Sequence, residues 1–325
     1  MTAIRKKPPK LENPRKQYAL DQCALFGVNG FGQLLQTLGW AGTRVELEAL
    51  PNAKGSYSEF KNEEGRWVQS AGKELRAVHF RIATLMRRVL PPEYRQSGVR
   101  GRSFLTNAQQ HTCVEPSIKL DIKKFYPTTT FQHVLNMFAH DMRCSGDVAF
   151  LLAKLCCFKQ RHLPTGGVHS EVLAFYCHKN SFDQLLDRAT ARGGVMTVYV
   201  DDIMITMPEA SLTDLEWARR LFANQGVKLH PGKCKVIPAG TTKTITGVQI
   251  RNGEISAPAK QHRMIKERFD QLRESTDEAE RATLARSLIG HLDHVAQIQP
   301  AFASRAKGNR ARLKALVMNP ANTPE

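Results

Sequence analysis

Within its 325 residues the sequence lacks any apolar run approaching the roughly 20 residues that span a bilayer, and no signal-peptide core follows its basic start Arg5-Lys6-Lys7. Neither a membrane-embedded nor a secreted protein is expected. Paired or metal-ligand cysteine spacing is lacking too. The seven cysteines (Cys23, Cys113, Cys144, Cys156, Cys157, Cys177 and Cys234) are odd in number and show no C-x-x-C pattern. A disulfide framework and a zinc module are therefore not expected, and a reduced cytoplasm is the expected setting. Acidic residues are scarce beside basic ones, 30 against 47, for a formal charge of +17. That imbalance implies a polyanionic partner, and without a membrane segment nucleic acid is preferred to an anionic membrane. No internal repeat is evident. The length suffices for a large core and two or three subdomains.

What is present centres on Tyr199-Val200-Asp201-Asp202, flanked by the β-prone runs Val195-Met196-Thr197-Val198 and Ile203-Met204-Ile205-Thr206. The pattern predicts a hairpin with both acids at an exposed tip, since Asp tolerates turn geometry that Val and Ile do not. Upstream, Ser117-Ile118-Lys119-Leu120-Asp121 alternates like a half-buried strand and places Asp121 at its end, before the Tyr126-Pro127 break. If that strand pairs with the hairpin, three carboxylates converge, and hard oxygen ligands of this kind suit magnesium shared with substrate phosphates. An Asp-Asp pair in a turn is by itself common turn chemistry. The flanking residues change the balance.

Leu120-Asp121-Ile122-Lys123-Lys124-Phe125-Tyr126-Pro127, followed by Tyr199-Val200-Asp201-Asp202, resembles motifs A and C of reverse transcriptases. Between them Leu163-Pro164-Thr165-Gly166-Gly167-Val168-His169-Ser170 is similar to their motif B, with Thr165 where Gln is usual and Val168 where Pro is usual. Val200 stands where bacterial members more often carry Ala. Asn107-Ala108-Gln109-Gln110-His111 and Ile245-Thr246-Gly247 resemble two elements of the retron type. A helix cap at Asn107 and a strand-end glycine at Gly247 are the plainer explanations. The resemblance runs from about residue 55 to about residue 315.

The resemblance implies an α+β right-hand polymerase: a basic N-terminal arm and helical region (1–54), fingers (55–116), an antiparallel palm (117–256) and a helical thumb with a C-terminal tail (257–325). It implies an RNA-directed DNA polymerase with two magnesium ions held by Asp121, Asp201, Asp202 and the Ile122 carbonyl; a structural salt bridge is the alternative for any one of these acids. Lys233 is expected beside the leaving pyrophosphate, with Lys235 competing for the role. Arg66, assisted by Arg102, is expected at the triphosphate, Tyr126 as a steric gate selecting deoxynucleotides, and Gly166 and Tyr199 at the substrate. A core tyrosine is the alternative for Tyr126, and surface solubility for Arg66. Asn107 and His111 are expected either to recognise RNA or to order the segment before motif A. In the thumb, Arg310 and Arg312 belong to a basic set with Arg263, Lys266, Arg268, Arg305, Lys307 and Lys314 that would grip RNA phosphates; a solvated face is the alternative.

The implied partners are deoxynucleoside triphosphates, a structured noncoding RNA serving as template and primer, its cDNA, and a separate effector in antiphage defence. Priming would use a guanosine 2′-hydroxyl of the same RNA. Rival expectations are a non-retron defence or group II intron-like reverse transcriptase, and a catalytically idle RNA-binding scaffold. Little room follows the thumb for a maturase or an RNase H region, so template removal is expected to need another enzyme.

Locally, a hairpin is predicted from Tyr57 to Val68 around Asn62-Glu63-Glu64-Gly65, then a helix with the stripe Leu75, Val78, Ile82, Leu85 and Val89. Helices are predicted around 131–155 and 171–188. Strands 244–250 and 254–256 are expected to form a primer-grip hairpin through Arg251-Asn252-Gly253. A capping box at Ser275-Thr276-Asp277-Glu278 precedes the stripe Leu284, Leu288, Leu292, Val295 and Ile298.

Overall fold

Helices and antiparallel strands intermingle along residues 16–318, the part that a computed structural model describes, apart from the side chains of Arg305 and Met318. The basic start at Arg5-Lys6-Lys7 and the tail from Asn319 to Glu325 lie outside it. Helices α1 (Phe31–Leu38) and α2 (Arg44–Ala49) lead into the antiparallel hairpin of β1 (Tyr57–Lys61) and β2 (Trp67–Ala71). Its turn is fixed by Asn62, whose Oδ1 accepts the N–H groups of Glu64 and Arg66. The apolar stripe of α3 (Lys73–Met86) is buried as the spacing predicts, but Val89 lies past the helix end, bridged to Tyr18. Helix α4 (Phe104–Gln109) is capped by Ser103 rather than by Asn107, which sits inside it.

Strand β3 (Ser117–Asp121) is followed by α5 (Phe125–Thr128), α6 (Phe131–Asn136), α7 (Gly146–Cys156), α8 (Ser170–Cys177) and α9 (Lys179–Thr190). The expected helix over 131–155 is thus two, separated by a π-helical turn at Met137–Asp141 and a left-handed Arg143. That over 171–188 breaks at His178. Strands β4 (Val195–Tyr199) and β5 (Asp202–Thr206), helix α10 (Leu212–Ala223) and strand β6 (Lys235–Ile237) complete a four-stranded sheet of order β4-β5-β3-β6 with every neighbour antiparallel.

This sheet is covered on both faces, which corrects the half-buried expectation for β3: all its residues but Lys119 are buried. Side-chain alternation explains how. Ile203 and Ile205 enter the main core with the helices, while Met204 between them enters a second core with Ile237, Ile250 and Leu292. Cys156 and Cys157 are fully buried in the main core as small hydrophobes.

The expected strand 244–250 folds back on itself. Strands β7 (Lys243–Ile245), β8 (Val248–Arg251) and β9 (Glu254–Ser256) form a three-stranded meander through two two-residue turns, Thr246-Gly247 and Asn252-Gly253. All four turn residues have positive φ, the primed-turn geometry that matches strand twist. Helices α11 (Ala259–Glu274), α12 (Glu278–Ile298) and α13 (Ala303–Met318) pack onto the second core. The cap of α12 is Asp277, which accepts from Ala279 and Glu280; Ser275 instead donates to the Glu280 carboxylate. Among the described residues no helix is long and apolar enough to cross a membrane.

Four buried histidines fasten these layers as neutral rings. His79 and His169 bond the Leu155 and Cys156 carbonyls, His178 bonds Thr129, and His111 spans Thr206 and Thr197 at 2.8 Å each. Burial pushes His111 and His178 down to about 3, His169 to about 4, and His79 well below its ordinary value. With folded values below the unfolded 6.5, their contribution is complete above that pH and drains away as pH falls toward 3. Urea unfolding between pH 7 and 4 should therefore lose about 1.4 kcal/mol per pH unit for each of these histidines that takes up a proton on unfolding. Replacing His111 by Gln should make the slope shallower by one proton.

Candidate active site at the sheet end

Pairing of β3 with β5 places Asp121 directly opposite Asp202, and pairing of β4 with β5 sets Tyr199 opposite Asp202 across the two-residue loop Val200-Asp201. The loop differs from expectation in two respects. Val200, not an aspartate, takes the left-handed position, with φ of 59°. A β-branched residue there is strained by about 1–2 kcal/mol and must be held by its surroundings. Val200 N–H donates to Ser97 Oγ at 3.1 Å, and the Asp201 carbonyl accepts the Ile122 N–H at 2.9 Å. The tip is also less open than predicted: Asp201 and Asp202 are half-buried and Asp121 is 8% exposed.

Two lysines answer the acids. Lys119 Nζ lies 2.8 Å from Asp202 Oδ2, and Lys233 Nζ lies 2.9 Å from Asp121 Oδ2. Burial raises the Asp201 carboxyl, Asp121 adds to the rise, and Lys233 and Arg66 oppose it. Burial also raises Asp202, against Lys119 and with both other acids. The Asp121 hydrogen bond holds Lys233 above its usual range. Asp202 Oδ1 is buried without a hydrogen-bond partner. The expected convergence is therefore partial: the register gathers all three acids at one end of the sheet, but two of them turn onto lysines. Among the described residues no three acidic, histidine or cysteine side chains form a ready metal cage.

The other predicted residues distribute as follows. Tyr126, in α5, is half-buried; burial pushes its hydroxyl up to about 12, with Glu171 and Asp201 contributing. Arg66 is exposed, pairs with Glu64 at 3.2 Å, and its charge reaches Asp201. Arg102 is committed elsewhere, donating to the Pro92 and Arg95 carbonyls at 2.7 Å each. Gly166 rests against β2: its N–H donates to the Gln69 carbonyl while Thr165 N–H donates to Gln69 Oε1. Lys233 contacts an acid directly, while Lys235 lies on β6 opposite Lys119. Arg310 is tied to Asp293 in an ion pair that joins α13 to α12, and Arg312 is exposed.

Three participants escaped the sequence reading. Lys119 was findable, because it lies two residues before Asp121 on the same face of β3. Ser97 and Gln69 carry no local signal, since each acts across the fold on a loop far away in the chain.

No protein-family model matches the chain. It is 30% identical over 157 residues to the Retron Se72 reverse transcriptase of Salmonella heidelberg, covering 46% of this chain and 41% of that protein. It is 22% identical over 207 residues to the Retron Ec86 reverse transcriptase of Escherichia coli, covering 62% and 63%. Over 268 residues it is 27% identical to the Retron Mx65 reverse transcriptase of Myxococcus xanthus, covering 75% and 61%. The chain is related to the retron-type reverse transcriptases. It spans less than two thirds of the length of each of these relatives.

The two elements that carry the retron resemblance meet in space. Asn107 Nδ2 donates to Thr246 Oγ1 at 3.3 Å, and Thr246 Oγ1 donates to the Phe104 carbonyl at 2.9 Å. Asn107 is 2% exposed and His111 fully buried. In this fold both side chains are covered, and their bonds tie the segment before β3 to the meander and to the sheet.

Two measurements bear on this geometry. Because the charged Asp201 carboxylate is disfavoured in the fold, Asp201→Asn should raise the melting temperature at pH 7, and the gain should vanish as pH drops below the carboxyl range and the native side chain protonates. A Cβ at Gly166 would lie 2.6 Å from the Gln69 carbonyl oxygen, so Gly166→Ala should displace the 164–168 loop and speed its proteolysis without unfolding the sheet.

Proposed function

We propose that the chain is a retron-type RNA-directed DNA polymerase that copies part of a structured noncoding RNA into single-stranded DNA. The observation that carries this reading is the register of β3 against β5, which sets Asp121 opposite Asp202 with Asp201 on the adjoining loop, in a chain whose relatives are retron reverse transcriptases. In this reading the helices and β1–β2 hairpin before β3 are the fingers, the four-stranded sheet and its helices the palm, the meander the primer grip, and α11–α13 the thumb.

The residues at the sheet end fit divalent cations. The donors are hard carboxylate oxygens, one of them buried and unpartnered, and the negative charge of neighbouring acids raises the affinity of Asp201 and of Asp202 for positive charge. Asp121, Asp201, Asp202 and the Ile122 carbonyl would hold two magnesium ions, which supply activation of the attacking hydroxyl and stabilisation of the leaving pyrophosphate. The chain's own groups do the rest. Lys233, poised on Asp121, is placed to swing toward a triphosphate and neutralise or protonate its leaving portion. Arg66, exposed at the β1–β2 hairpin and paired with Glu64, adds a positive charge that acts on Asp201 and would meet the triphosphate. Tyr126 presents a rigid ring beside Asp201, against which a ribose 2′-hydroxyl would clash. Gly166 lets the motif B backbone approach the fingers, and Tyr199 borders the nucleotide site. Exposed Arg312 and its basic neighbours on the thumb would hold RNA phosphates. Antiphage defence with a separate effector protein, in the cytoplasm, completes the proposal.

Purified protein given primed RNA, deoxynucleotides and magnesium should extend the primer, and Asp201→Asn should reduce extension by at least about 100-fold. No extension by the native chain removes the proposal in favour of an RNA-binding scaffold, and undiminished extension by that variant shows that the activity does not come from this site. Millimolar magnesium should raise the melting temperature of the native chain more than that of Asp201→Asn. Sequencing the nucleic acid that copurifies should return one dominant RNA bearing attached DNA.

A further inference from the structure

The strained Val200 is held by a chain of bonds that no motif contains. Ser97 Oγ has one proton and gives it to Glu171 Oε1 at 3.0 Å, which leaves its lone pairs for the Val200 N–H at 3.1 Å. Glu171, in the first turn of α8, also accepts Arg95 Nη2 at 3.0 Å and Arg87 Nη2 at 3.4 Å. Arg95 is itself fixed, 3% exposed with its guanidinium over the Phe175 ring at 4.5 Å. The backbone on both sides is pinned: Val198 N–H donates to the Tyr94 carbonyl and Gln96 N–H to the Val198 carbonyl, each at 2.8 Å. Gly98, with φ of 63°, is required by the same arrangement, since a Cβ there would meet the Glu171 carboxylate at 2.5 Å.

We infer that Ser97, oriented by Glu171, is the positioning residue that keeps Val200 in its left-handed conformation and thereby holds Asp201 and Asp202 at the end of the sheet. Neither residue touches the reacting atoms. The helix behind motif B thus sets the geometry of motif C through one hydroxyl. This inference rests on the polymerase reading for its catalytic consequence, but the clamp itself does not.

The test uses Ser97→Ala and the double variant Ser97→Ala/Val200→Gly in the full chain. Amide hydrogen exchange, read on the peptide containing Val200, should be about tenfold faster in Ser97→Ala, with β3 and β6 exchanging at native rates. Primer extension by Ser97→Ala should show kcat reduced about tenfold and the deoxynucleotide KM within twofold of native. Glycine adopts positive φ without strain, so the double variant should recover most of the lost kcat. Native exchange in Ser97→Ala, or equal kcat in the single and double variants, overturns the inference. If the native chain extends no primer, the polymerase reading falls while the exchange measurement still decides the clamp.

Discussion

Antiparallel pairing between Ser117–Asp121 and Asp202–Thr206 is the constraint on which everything else rests. Register here is fixed because a shift by one residue would carry Lys119 to the face of the main core and move Leu120 out of it, to the face shared by Lys119 and Met204. The same register that satisfies Leu120 and Ile203 delivers two carboxylates to facing positions. Charge is thus concentrated by hydrophobic packing. The cost shows in the raised Asp201 and Asp202 carboxyls, and Lys119 and Lys233 offset part of it. Stability surrendered at one end of the sheet is the usual companion of chemical capacity.

Much of this was legible in the sequence because it is written locally. Period-two alternation marks the strands around Asp121 and Asp201, the stripe from Leu75 to Leu85 marks α3, and Asn252-Gly253 marks its turn. Two covered faces, by contrast, cannot be read from five residues of β3; they follow from Met204 and Ile203 entering different cores. The break at Arg143 does carry a local signal, the polar stretch ending in Ser145-Gly146, whereas that at His178 lies among Lys179, Asn180 and Ser181, residues that a helix also admits. Thr246-Gly247 reads as strand, although it adopts the same positive-φ turn geometry as Asn252-Gly253, because Thr is a strand former and hides the turn.

For the candidate site, residue identity was readable and side-chain direction was not. Asp121, Asp201, Asp202 and Lys233 stand together as their motifs suggest, whereas the lysine that reaches Asp202 and the serine that reaches Val200 come from outside any motif. Asn107 and His111 teach the complementary lesson. A polar residue in a signature element invites a ligand, yet the Asn107 amide N–H donates to Thr246 and the two ring nitrogens of His111 are engaged with Thr206 and Thr197, joining the segment before β3 to the meander and to the sheet. Arg310 is similar: its charge is met inside the helical unit by Asp293.

Docking of the Thr165-Gly166 backbone on Gln69 has a consequence for the solution behaviour of the molecule. A two-stranded hairpin offers outward N–H and C=O groups to any extended segment of another chain, and Phe60 and Trp67 beside them are half exposed. By seating its own loop at Gln69, the protein occupies the middle of that edge intramolecularly. Intermolecular strand addition along β2, the first step toward aggregation, would have to displace this loop.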